Sequence, residues 1–145
     1  MSAYPPVFSR MLGKLTSQLG GCSDHHGDFE RWGHVDMADE ADMRWIIEEQ
    51  VVSYFKTATS RQQSEAKLAF MWQMTFDPIE LSRSWESRLP VFDLNDQQSI
   101  RLQELIWERF WPGESWLLPG KADDYPMATE EEYEALYYQE HPKPL

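Results

Sequence analysis

Positive charge is scarce in this chain and cysteine almost absent. Lys and Arg number 13 against 25 Asp and Glu over 145 residues, for a formal net charge of −12. Such a field repels phosphate backbones and attracts basic partners. The sequence therefore predicts no direct nucleic-acid binding and favours a basic protein as partner. The lone Cys22 excludes an internal disulfide, which fits a reducing compartment. No run approaches the roughly 18 apolar residues that cross a bilayer. The opening "MSAYPPVFSRMLGKLTSQLGG" carries no apolar signal-peptide core. A cytoplasmic protein without a membrane partner is expected.

Catalytic and cofactor grammar is also missing. There is no GxGxxG, no GxxxxGK[ST], no GxSxG, no CxxC, no HExxH and no Glu-x-x-His. Each is a spacing that chemistry imposes: glycines that let backbone approach phosphate, or ligands one helical turn apart that share a metal. Their absence argues against an enzyme, and no cofactor is expected.

What is present is a large apolar payload. Hydrophobic residues make up 41% and aromatics 14% of the chain. That is enough to offset chain entropy, so residues 1–145 are expected to fold as one domain. The periodicity is helical throughout, with no clean alternation of period two. The sequence predicts an all-α, irregular bundle of about four main helices with short helical segments. A first helix is expected over 6–19, opened by Pro5-Pro6 and stopped by Gly20-Gly21. The second covers 39–57, with Met43, Ile46, Ile47, Val51, Tyr54 and Phe55 as its apolar stripe. The third covers 61–76, and its stretch "LAFMWQMTF" is apolar nearly all round, so it is expected at the centre. Asp77-Pro78 opens a short helix that Pro90 ends. Another runs over 94–111, capped by Asp93 or Asn95. Thr129 and Glu132 form a capping box for a last helix reaching about residue 139. A long loop at 21–38 and a Pro/Gly-broken connection at 112–128 separate these helices.

The loop holds the residues that most resemble a site. Cys22, His25, His26, Asp28, His34 and Asp36 include good ligand types for zinc, iron or manganese. Their spacing fits no metal geometry: His25 and His26 are adjacent, and there is only one thiol. Cys22 lies near histidines in sequence, which is not how catalytic Cys and His are normally arranged. The polar-loop interpretation outweighs both. A metal-dependent enzyme using 22–36 stays as the alternative, beside a structural subunit of a larger assembly or homo-oligomer.

The charge layout is more telling. Residues 24–49 carry nine acids against Arg31 and Arg44, and 114–140 carry eight against Lys121, around a nearly neutral middle. Asp36, Asp39, Glu40, Asp42, Glu48 and Glu49 line one loop and helix. Glu130, Glu131, Glu132 and Glu134 cluster at another helix start, with Trp116, Tyr133 and Tyr137 beside them. Acid with Tyr and Trp is an interface composition suited to a basic protein. These residues are the predicted partner surface. Trp45, Trp72 and Trp107 are expected in the core. Immunity proteins, antitoxins, phage anti-defence inhibitors and nucleic-acid mimics share this character of composition.

Overall fold

The structure, a computed structural model, describes residues 4–12, 15, 34–80 and 94–137. The described chain is all-α. Its first helix, α1, starts as Glu40–Ile46, continues through a π-helical stretch, Ile47–Val52, and closes with Ser53–Phe55. α2 is Ser60–Phe76, α3 is Asp96–Phe110 and α4 is Glu130–Tyr137. Two 3₁₀ turns, Ser9–Leu12 and Ala122–Asp124, also lie among the described residues.

Local chemistry sets the helix starts. Asp39 caps α1, its side chain accepting from the Ala41 N–H. Thr59 and Gln62 form a reciprocal capping box on α2, and Asn95 and Gln98 another on α3. Thr129 and Glu132 exchange the same pair of bonds on α4. Each box satisfies two backbone or side-chain groups that the first turn would otherwise leave to water. Thr59→Ala is expected to cost about 1 kcal/mol, the ordinary worth of a hydroxyl cap. Urea unfolding checks this, and an unchanged midpoint would contradict it.

The N-terminal helix departs from the sequence expectation. The chain does not turn helical at residue 6. Val7 is extended and bridges Met127 in parallel: its N–H donates to the Pro126 carbonyl (2.7 Å) and its carbonyl accepts from the Ala128 N–H (2.9 Å). Pro6 holds Pro5 out of the α region, and the backbone pairing with 126–128 keeps Val7 extended in turn. Tyr4 stacks on Tyr125 at 4.5 Å, which seats the segment on the 112–128 connection. Residues 16–19, like 81–89 of the expected short helix, lie outside the described residues. Asp77 does open that segment: its carboxylate accepts from the Glu80 N–H (3.4 Å) at a turn beginning with Pro78.

α2 starts with polar residues, and its apolar stretch 68–76 lies between two clusters. Ala66, Phe70 and Met74 enter the main core with Met43, Ile46, Val51, Leu102, Ile106 and Leu136. Ala69, on another face, joins Val7 and Tyr125, with Leu68, Trp72 and Phe76 against them. Trp107 is buried, stacked on Phe70 with ring centroids 6.2 Å apart, and its indole N–H donates to the Glu114 carbonyl (2.7 Å). That bond, and Thr75 Oγ1 donating to the Trp116 carbonyl, fasten the 112–128 connection to the helices.

Candidate functional site

The predicted acidic surface divides by what each carboxylate does. Asp36, Asp39 and Asp42 organise the entrance to α1. Asp36 accepts from the Ala38 N–H (2.9 Å), and Asp42 accepts from the Asp36 N–H (2.7 Å). Three carboxylates at one helix start suit the positive end of its dipole. Beyond this turn α1 packs against α3, and charges interlock between them. Arg101 binds Glu40, and reaches Glu104 (3.6 Å) and Glu108 (3.7 Å) on its own helix. Arg44 reaches Glu108 at 3.4 Å, and Arg109 clasps both oxygens of Glu48. The hydrogen bond from Arg101 holds the Glu40 carboxyl below the usual carboxylate range, against a smaller opposing effect of desolvation. All of these groups stay open to solvent, where screening keeps the contribution of an ion pair to stability small. Their main consequence is to neutralise this seam.

At the other acidic cluster, Glu130 pairs with Arg10, whose guanidinium carbon also lies 4.1 Å from the Tyr133 ring centroid. Glu132 is committed to the capping box. Glu131 is exposed and bonds nothing among the described residues, while Glu134 is half-buried. Tyr133 is half-buried against the core, as is Trp116, which meets Trp107 edge-on. The aromatics beside this cluster therefore turn largely inward, and Tyr125 is buried. Tyr137 ends α4.

The sequence expectation for Trp45 is overturned. It is not in the core but 39% exposed, with the His34 ring 5.3 Å away. The reason is angular. At ~100° per residue, Trp45 points ~160° away from Met43 and Ile47-side packing is left to the flanking stripe. That offset was present in the sequence, but the bulk of Trp outweighed it. Trp107 is buried as expected, and Trp72 is half-buried.

Cys22, His25, His26 and Asp28 lie outside the described residues. His34 and Asp36 are exposed, and among the described residues no three His, Cys, Asp or Glu side chains gather as a metal site requires. An open groove of about 290 Å³ separates the starts of α1 and α3, with Met37 and Met43 among its lining and the Glu40–Arg101 pair beside them. No helix among the described residues is long and apolar enough to cross a membrane. No protein-family model, curated protein or solved structure matches the chain. The geometry and charge of the chain itself therefore carry the functional argument.

Proposed function

We propose that this protein is a small acidic binding protein that docks on a basic, nucleic-acid-handling partner and neutralises it. One observation carries the proposal: among the described residues, five of the eight basic side chains pair with the chain's own carboxylates. Arg10, Arg44, Lys67, Arg101 and Arg109 each pair with one of its own carboxylates. Asp36, Asp39, Asp42, Glu49, Glu131 and Glu132 pair with no base among the described residues. The field left for an approaching molecule is acidic, which steers a basic partner and repels nucleic acid. Immunity proteins, antitoxins and phage anti-defence inhibitors would use such a surface, with carboxylates standing in for phosphates. The partner is basic and cytoplasmic on this proposal, and no cofactor is needed.

The test is kinetic. After capture of the partner at low salt, association is followed as ionic strength rises. Steered association slows steeply with salt, by about tenfold or more toward physiological strength. Glu49→Gln with Glu131→Gln should slow it at fixed salt without changing thermal stability, because neither side chain bonds to the described fold. An association rate indifferent to both salt and these substitutions would defeat the proposal.

A further inference from the structure

We infer that the groove between the starts of α1 and α3 seats an extended basic segment of the partner, one that lays an apolar side chain between flanking lysines or arginines. This rests on the binding role proposed above and gives it a place. The groove encloses about 290 Å³. That is at the low end of the roughly 300–1,000 Å³ of small-molecule pockets, and the groove is open, so it suits a chain lying across it. Its floor is apolar. Met37 and Met43 line it, and both are otherwise buried, at 3% and 2% exposure. Methionine adapts its shape to whatever apolar group lies on it, which favours it at binding surfaces.

The walls supply hydrogen-bond donors. In the capping box of α3, the Asn95 side-chain oxygen accepts from the Gln98 N–H (2.8 Å) and the Gln98 oxygen from the Asn95 N–H (3.0 Å). Their amide nitrogens bond nothing among the described residues. Arg101 gives Nε to Glu40 and Nη1 to Glu104 and Glu108, and its Nη2 keeps its donors. Donors without matching acceptors fit main-chain carbonyls, which an extended peptide leaves unpaired. Charge then decides what flanks the apolar residue. Arg101 answers to three glutamates, so the groove keeps no net positive charge from it. Asp39 stands between lining residues Ala38 and Glu40, and Asp96 between Asn95 and Gln97. Neither aspartate pairs with a base among the described residues. Each helix thus brings an acid to its side of the groove, and lysine or arginine on either side of the apolar residue complements the two. A phosphate or free carboxylate, which the donors alone would admit, is turned away by the same acids.

Two synthetic peptides, acetylated and amidated, are the probes: Lys-Arg-Leu-Lys-Arg and the same with Ser for Leu. Each is titrated into the full chain at low salt. The methyl resonances of Met37 and Met43, assigned with Met37→Leu and Met43→Leu, should move with the leucine peptide. The serine peptide should bind about tenfold more weakly, the loss that goes with one missing aliphatic contact. Ala38→Arg with Asp96→Asn, both at exposed positions, should weaken the leucine peptide by about tenfold, and Glu131→Gln should not. Asn95→Ser keeps a good cap but removes the amide donor, so it should weaken binding with thermal stability unchanged. The methyl shifts are read on the unaltered protein, which keeps the test decisive if a variant perturbs folding. Equal, salt-sensitive binding of both peptides that leaves the methyls in place and survives Ala38→Arg with Asp96→Asn would overturn the groove while the acidic-binder proposal stands. A concentration-dependent dimer that shifts the same methyls and excludes the peptide would put a second copy there and overturn it too. No binding of either peptide would also overturn the groove, whereas the salt dependence of association with the captured partner decides the binding role by itself.

Discussion

Trp107→Ala should cost about 3–5 kcal/mol of folding stability, a large share of what a domain of this size possesses. The side chain is 2% exposed and stands where several layers meet. Its ring stacks on Phe70 of α2, contacts Trp111 at 4.7 Å and receives Trp116 edge-on at 6.4 Å. Truncation leaves a cavity that these rings cannot fill without leaving their own rotamers. It also orphans the Glu114 carbonyl, which accepts the indole N–H at 2.7 Å. Lys67 adds a further strand to the same knot, since its ammonium pairs with Glu114 at 2.8 Å and lies 5.9 Å from the Trp107 ring centroid. Trp107→Phe should recover much of the packing but not the hydrogen bond, and so fall between wild type and Ala. Urea unfolding followed by far-ultraviolet circular dichroism measures all three. A loss for Trp107→Ala no greater than that for half-exposed Trp45→Ala would show that the cluster is not the structural centre.

Much of this architecture was legible in the sequence because capping chemistry is local. Thr129 with Glu132, and Asn95 as one of two candidates, marked two helix starts from residues within one turn of each. Thr59 with Gln62 is the same device, written in the chain but not used in placing the start of α2. The N-terminal segment was misread because its conformation depends on a distant stretch: Val7 pairs with backbone 119 or more residues away, and no local pattern records that. The acidic surface was legible as composition and only half legible as a surface. Arg101 and Arg109 lie some 60 residues from Glu40 and Glu48, so the sequence gives no sign that these carboxylates are neutralised. Trp45 shows the opposite failure. Its angular position was readable, but residue type was given more weight than helical phase.

The π-helical stretch in α1 leads to the other large effect: removing Gln50 should leave the protein folded, whereas removing Leu68 from α2 should abolish cooperative folding. Ile46, Ile47, Val51 and Val52 are all buried, at 0–2% exposure. On an uninterrupted α-helix, at ~100° per residue, the four would spread over an arc of ~240°. No single face can bury all four. The i→i+5 bonding of a π turn widens the helix and brings Val51 under Ile46 and Val52 under Ile47. The five-residue step between the two apolar pairs is thus the sequence signal for the π stretch, hidden under an otherwise ordinary helical stripe. Deleting Gln50 shortens that step to four. Both Val side chains then fall within ~140° of Ile46 on a plain α-helix, and the core can be met without the wider turn. The expected change is within about 1 kcal/mol, comparable to a tolerated core adjustment. Deleting Leu68 has no such slack to absorb. It turns Ala69, Phe70 and Met74 by ~100° relative to Gln62 and Ala66, all five of which are buried. Phe70 then leaves Trp107, and both clusters that α2 separates lose their packing. Thermal unfolding of the two deletion variants decides the matter. If loss of Gln50 were as damaging as loss of Leu68, the π stretch would be fixed by something other than the spacing of these four residues.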